Sequence, residues 1–221
     1  MNRMNAVAEG ESPDPAHTAS RDWMRVGLWL VIATLAYNII EAVVAIWSGA
    51  EAHSIALLGF GLDSVIETLA AGVLLWRLAV EARGADRETV ERTEHRMHQF
   101  VGVTFLLLAL YVTGQAGWTM WVQQAPDESI VGIVLAIASL VIMPLVSWGK
   151  LRAAREIGST ALRAEAKETL ACSYLSFALL LGLVANSTIG WWWADPVAAL
   201  LMVPWLVKEG REGMRGEVCC D

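Results

Sequence analysis

Two carboxylates, Asp63 and Glu67, lie four residues apart inside a long apolar segment of the chain. In an α-helix this spacing stacks the two side chains on one face. A charged side chain at membrane depth costs about 2.5–3.5 kcal/mol on insertion scales, and two neighbouring acids also repel each other. A bound cation would offset both costs, so the pair predicts one half of a cation site.

A second pair with the same spacing, Glu168 and Cys172, lies in a later apolar segment. Carboxylates supply hard oxygen ligands, and a thiolate supplies a softer sulfur ligand. Two such pairs on facing helices can provide the four ligands of a tetrahedral site, which suits first-row divalent ions. The predicted metal ligands are therefore Asp63, Glu67, Glu168 and Cys172. Burial favours the protonated acid and a nearby cation favours the carboxylate, so protons and metal compete for the same oxygens.

The same polar residues are also compatible with roles that involve no ion. Intramembrane acids can hold helices together by hydrogen bonds alone, and a buried cysteine such as Cys172 is often a small apolar filler. Asn38 and Glu41, on one face of the first apolar segment, either take part in transport, satisfy the bundle interior or line the outer vestibule. His95 and His98 form an i,i+3 pair that either binds metal or is ordinary surface.

Six apolar segments must position these residues, and most reach the roughly 20 residues that a membrane-spanning helix needs. They are Val26–Trp47, Ser54–Leu78, Phe100–Trp121, Ile130–Trp148, Leu170–Ile189 and Trp191–Val207. Only 18% of the 221 residues are charged, against about 25% in soluble domains. The sequence therefore predicts an all-α membrane protein, a six-transmembrane-helix bundle. We expect the bundle to occupy residues 23–210, between a disordered cytoplasmic tail, 1–22, and a short cytoplasmic tail, 211–221.

The basic residues predict the orientation of the bundle in the bilayer. All 16 lysines and arginines fall before the first segment, at the end of or after the second, after the fourth, or after the sixth. Because Lys and Arg accumulate on the cytoplasmic side, both termini are expected in the cytosol, and the plasma (inner) membrane is the expected location. Topology explains these charges, so no nucleic-acid partner is expected. Cys219 and Cys220 at the end of the chain would then be reduced.

The second apolar segment resembles the second-span signature of a known family, the cation diffusion facilitators. The stretch that begins at Ser54 reads SIALLGFGLDSVIE. It is similar to the family's S-L-A-L-L sequence followed by a ligand pair of the form His/Asp-x-x-x-Asp. Asp63 falls on the first ligand position and Glu67 on the second.

The fifth segment is similar to the family's fifth-span signature, whose ligand pair is His-x-x-x-Asp. It reads LRAEAKETLACSYLS from Leu162, with Glu168 on the histidine position and Cys172 on the aspartate position. The resemblance covers about Arg21–Arg215. Since the usual histidine is missing, the resemblance does not extend to zinc selectivity.

The resemblance implies a homodimer in which each protomer holds one metal site between its second and fifth helices. It also implies alternating access driven by proton antiport. Members of the family commonly carry a cytoplasmic domain after the sixth span. Only about a dozen residues follow that span here, so the resemblance is to the transmembrane domain without the usual C-terminal domain.

The expected function is export of a divalent metal ion from the cytosol in exchange for protons. Oxygen ligands favour manganese or ferrous iron, and sulfur favours zinc, cadmium or cobalt, so the metal stays open. The partners are then the metal ion, protons and the lipid bilayer, and no permanently bound cofactor is expected. The alternative is a membrane metal-binding or sensing protein that does not transport. No enzyme is expected, since no histidine lies centrally in a span and H-E-x-x-H is absent.

Overall fold

The computed structural model describes residues 15–82, 87–123 and 126–215, which form six α-helices. They are α1 (Pro15–Glu51), α2 (Ile55–Ala82), α3 (Arg87–Val122), α4 (Ile130–Ile157), α5 (Thr160–Ile189) and α6 (Ala194–Arg215). Each contains or largely covers one of the six predicted apolar segments, so the prediction of an all-helical bundle is confirmed.

Five of the helices are long and apolar enough to cross a membrane. The candidate spans are Asp22–Glu51, Ile55–Trp76, Gln99–Val122, Ile130–Ile157 and Leu162–Ile189. Helix α6 is shorter, at 22 residues, and carries charged side chains near both ends. Large apolar side chains cover the outer face of the bundle, with Leu110, Trp121 and Ile130 at least 70% exposed. Such a surface fits lipid, so the described chain is an integral membrane protein.

The two tail boundaries differ from the prediction. Helix α1 begins at Pro15, inside the segment predicted as a disordered tail, because proline is well suited to the first position of a helix. Helix α6 continues to Arg215, five residues past the predicted end of the bundle. The rest of both tails, including Cys219 and Cys220, lies outside the described residues.

Serine and glycine residues mark the ends of α4 and α5. Ser129 and Ser159 cap the amino ends of α4 and α5, each accepting a hydrogen bond from a backbone N–H three residues on. Gly158 and Gly190 end α4 and α5 in the left-handed conformation, with φ of 67° and 69°. Helices α4 and α5 are thereby joined as a tight antiparallel pair.

Helix α2 is the central element, in contact with α1, α3, α5 and α6. Gly61 allows its close approach to α1, since a Cβ there would lie 2.9 Å from the backbone nitrogen of Ile46. Asp195 of α6 caps the amino end of α2: it accepts hydrogen bonds from the Ser54 hydroxyl and, at 2.9 Å, from the Ile55 amide. These contacts fix the position of the helix that carries the first pair of acids.

Candidate metal centre

The two acids of α2 meet the thiol of α5 inside the bundle. One ligand atom from each of Asp63, Glu67 and Cys172 lies within 4.8 Å of the other two. Asp63 and Cys172 are 2% and 0% exposed, and Glu67 is half-buried. Three of the four residues predicted as ligands are therefore together, and one ion could contact all three.

One oxygen of Asp63 has no hydrogen-bond partner. Within the described part of the chain, Asp63 Oδ2 is buried and unpaired, and so is Oδ1 of Asn38 on α1. A buried acceptor left unsatisfied costs about 1–3 kcal/mol, and more when it is charged. A cation held by the carboxylate would remove this cost.

Helix α1 brings further polar groups to the same region. Asn38 donates a hydrogen bond from Nδ2 to Glu67 Oε2 at 2.9 Å. Glu41 is fully buried, and its Oε2 accepts a hydrogen bond from the Ser64 hydroxyl at 2.8 Å. The same Oε2 lies 4.0 Å from the sulfur of Cys172. The sequence left Asn38 and Glu41 without an assigned role, and the structure places both against the candidate site.

Helix α4 orients the other oxygen of Glu41. The Ser139 hydroxyl donates to Oε1 of Glu41, and the Tyr37 hydroxyl lies 2.7 Å from Ser139 Oγ. Both carboxylate oxygens are thus fixed by hydroxyl groups from α2 and α4. The polar face of α1 was readable in the sequence, but nothing in the sequence paired that face with a serine about one hundred residues away.

Glu168, the fourth predicted ligand, lies about one helical turn from Cys172 and is half-buried. Among the described residues its carboxylate does not belong to the group of mutually close ligand atoms. Its charged neighbours are Glu209 of α6, Glu165, Lys150 and Asp63. Glu168 is therefore next to the cluster and within electrostatic range of it.

A buried ion pair joins α4 to α5 on the Glu168 side of the cluster. Lys150 is 0% exposed, and its Nζ donates to Glu165 Oε1 at 2.6 Å and to the Thr169 hydroxyl at 2.9 Å. The charge of Lys150 also acts on Glu67 and Glu168. The sequence indicated only the side of the membrane for this lysine, because a pairing between helices leaves no local pattern.

The histidines lie apart from the cluster. His53, between α1 and α2, has a positive φ of 52° and places Nδ1 3.4 Å from Asp127 Oδ2 on the surface. His95 is exposed on α3, and the side chain of His98 is outside the described residues. A metal site formed by His95 and His98 stays untested.

A helical bundle with an apolar outer face and an interior cluster of acids and a thiol defines an integral membrane protein with potential cation ligands in its interior. The model of one family, the cation efflux transmembrane domain, matches residues 31–215. The chain belongs to this cation efflux family, as the sequence resemblance implied. Members of the family are transporters and not enzymes.

Two curated relatives are similar to this chain. An uncharacterized transporter of Synechocystis, sll1263, is 28% identical over 150 residues, which is 66% of this chain and 48% of the relative. Transmembrane protein 163 of Xenopus laevis is 23% identical over 188 residues, which is 83% of this chain and 64% of the relative. The chain thus spans between about half and two thirds of the length of these relatives.

Proposed function

We propose that this protein exports divalent metal cations from the cytosol in exchange for protons, through a site between α2 and α5. The ligands in this proposal are Asp63, Glu67 and Cys172, with Glu168 joining them when the ion is bound. The observation that carries the proposal is the convergence of two acids and a thiol within 4.8 Å. The unpaired Oδ2 of Asp63 supports it, because that oxygen is a buried ligand atom without a protein partner among the described residues.

Proton coupling follows from the chemistry of these ligands. Carboxyl and thiol groups must lose their protons to bind a metal, so metal binding releases protons and protonation releases metal. A carrier that offers such a site to one side of the membrane and then to the other exchanges metal for protons. The two cargoes share the same ligand atoms, and therefore neither can occupy the site fully while the other is bound.

The direction of transport rests on the proposed orientation. The basic residues at the ends of α2, α4 and α6 favour a cytosolic position for both termini. The plasma (inner) membrane and a homodimer complete the proposal, on the basis of the family resemblance. No resident cofactor takes part, since the metal ion is the cargo.

The test is metal flux into proteoliposomes that contain the purified protein and a metal-sensitive dye, with and without a pH gradient. We expect flux with the wild-type protein that rises when the gradient drives proton exchange. Asp63→Asn should abolish the flux, whereas Glu156→Gln, an exposed acid-to-amide change on α4, should leave it unchanged. Flux that persists in Asp63→Asn would show that the site is wrong. Metal binding without pH-dependent flux would favour a binding or sensing protein instead.

A further inference from the structure

Glu41 is a buried acid that the sites predicted from sequence did not use. Its side chain is 0% exposed, and hydroxyls of Ser64 and Ser139 donate to its two oxygens. Within the described residues no basic side chain forms an ion pair with it. The Cys172 thiol, 4.0 Å from Oε2, is a further donor. Neutral hydroxyl and thiol donors are weak partners for a carboxylate at membrane depth, so a positive charge nearby would lower the cost of burying it.

Glu41 lies outside the group of Asp63, Glu67 and Cys172 whose ligand atoms are mutually within 4.8 Å, but its distance from Cys172 would let one ion reach both after a small movement. In a tetrahedral first-row site, metal–sulfur bonds of about 2.3 Å and metal–oxygen bonds of about 2.1 Å place the sulfur and oxygen about 3.6 Å apart. Oε2 of Glu41 lies 4.0 Å from Sγ of Cys172. A slightly wider angle at the metal, or a shift of a few tenths of an ångström, would let one ion contact both atoms.

Two further observations point to a cation at this place. Oδ2 of Asp63 and Oδ1 of Asn38 are buried acceptors without a hydrogen-bond partner among the described residues. Asn38 lies one turn before Glu41 on α1 and donates to Glu67 Oε2 at 2.9 Å. The polar face of α1 therefore contacts Glu67 of α2 and the Cys172 thiol of α5.

We propose that Glu41 is a ligand of the transported ion, so that α1 forms a third wall of the site beside α2 and α5. This inference rests on the proposed function, since it adds a ligand to the same site. A third carboxylate beside Asp63 and Glu67 makes the site rich in oxygen. Oxygen-rich donor sets favour manganese(II), whereas zinc prefers nitrogen and sulfur ligands.

The test is metal binding to the purified protein in nanodiscs, with cobalt(II) as the spectroscopic probe. Cobalt bound to the Cys172 thiolate gives a charge-transfer absorption, and the intensity of its d–d bands reports the number of ligands. We expect Glu41→Gln to keep the charge-transfer band, alter the d–d bands and weaken cobalt binding at least tenfold. The ratio of manganese to zinc affinity should also fall at least tenfold.

Matched variants separate a ligand role from a packing role. Ser147→Ala, a buried serine two turns from Ser139 on α4 that bonds to a backbone carbonyl, should match the wild-type protein in spectrum and metal ratio. Glu41→Asp keeps the charge but shortens the side chain. It should lower the manganese-to-zinc ratio if the carboxylate contacts the ion, and it replaces Glu41→Gln if the amide variant does not fold.

The inference is overturned if Glu41→Gln, or its replacement Glu41→Asp, keeps the d–d bands of the wild-type protein and also keeps the ratio of manganese to zinc affinity within twofold of the wild-type value. Asp63→Asn, measured in parallel, tests the proposed function separately. If Asp63→Asn abolishes binding while Glu41→Gln changes nothing, the site stands and α1 is not part of it. If Asp63→Asn binds cobalt as the wild-type protein does, the proposed site itself is wrong.

Discussion

Removing the charge of Lys150 is the sharpest test of how α4 and α5 are held together. The ammonium group has no access to solvent and lies 2.6 Å from Glu165 Oε1. In the variant Lys150→Met, Glu165 stays buried without its partner, and the Thr169 hydroxyl loses a donor. The change therefore leaves one buried charge uncompensated.

The expected loss can be worked from this geometry. Two unit charges 2.6 Å apart attract by about 6 kcal/mol at an effective dielectric constant of about 20. Removing both ions from water costs several kcal/mol each, so the pair as a whole contributes little to the free energy of unfolding. Breaking it by removing one partner is different, because the other charge remains buried. We expect Lys150→Met to lower the free energy of unfolding by about 3–5 kcal/mol.

The double variant Lys150→Met, Glu165→Met supplies the second half of the test. Replacing a buried pair by apolar side chains of similar size is often neutral or stabilising. We therefore expect the double variant to recover most of the loss. The measurement is denaturant unfolding in detergent micelles, and Arg155→Met, an exposed position on the same helix, should change the stability by less than about 0.5 kcal/mol.

Two results would refute this reasoning. A loss below about 1 kcal/mol in Lys150→Met would mean that Glu165 reaches water or another cation once the lysine is removed. A double variant as unstable as the single one would mean that the two residues do not act as a pair. If the double variant is stable but transports metal poorly, the charge of Lys150 acts on the neighbouring acids during transport.

Three further predictions concern stability. Asp195→Ala should lower the unfolding free energy by about 2–3 kcal/mol, more than Asp195→Asn, because it removes a buried cap at the amino end of α2. Burial and the Glu212 charge raise the pKa of Glu209 from 4.5 to about 7. The contribution of Glu209 to stability is therefore complete below pH 4.5 and lost as the pH rises through about 7. Glu209→Gln should make the melting temperature depend less on pH in that range. Gly61→Ala should cost about 1–3 kcal/mol by overpacking against α1, whereas Gly114→Ala, with open space around it, should not destabilise.

The helices were predictable because each apolar segment is long enough, or nearly so, to cross the bilayer by itself. The sequence placed Asp63 and Glu67 on one face of α2, and Cys172 on a polar face of α5. In the structure one ligand atom from each of these residues lies within 4.8 Å of the other two, and their role as metal ligands stays a prediction. Boundaries at the tails were less predictable, because α1 begins at Pro15, before its apolar part.

The contacts between helices were not predictable in the same way. A periodic pattern tells which residues share a face, but it does not tell which other helix that face meets. Glu41 illustrates this limit: its polar face on α1 was recognised, yet its contacts with Ser139 and Cys172 depend on how α1, α4 and α5 pack. Lys150 illustrates it again, since its pairing with Glu165 became visible only in the folded bundle.

The charges buried in the bundle connect these contacts with the proposed transport. Asp63 and Glu67 meet Cys172 within 4.8 Å, and Glu41 Oε2 lies 4.0 Å from the sulfur of Cys172. The one fully buried lysine among the described residues is paired with Glu165. Three carboxylates without a dedicated cation cannot all stay ionised at membrane depth without a large cost. The interior must therefore take up either protons or a positive ion. In the proposed exchange, protons replace the metal ion and the total charge of the cluster changes little, so the site could change the side to which it opens with either cargo bound.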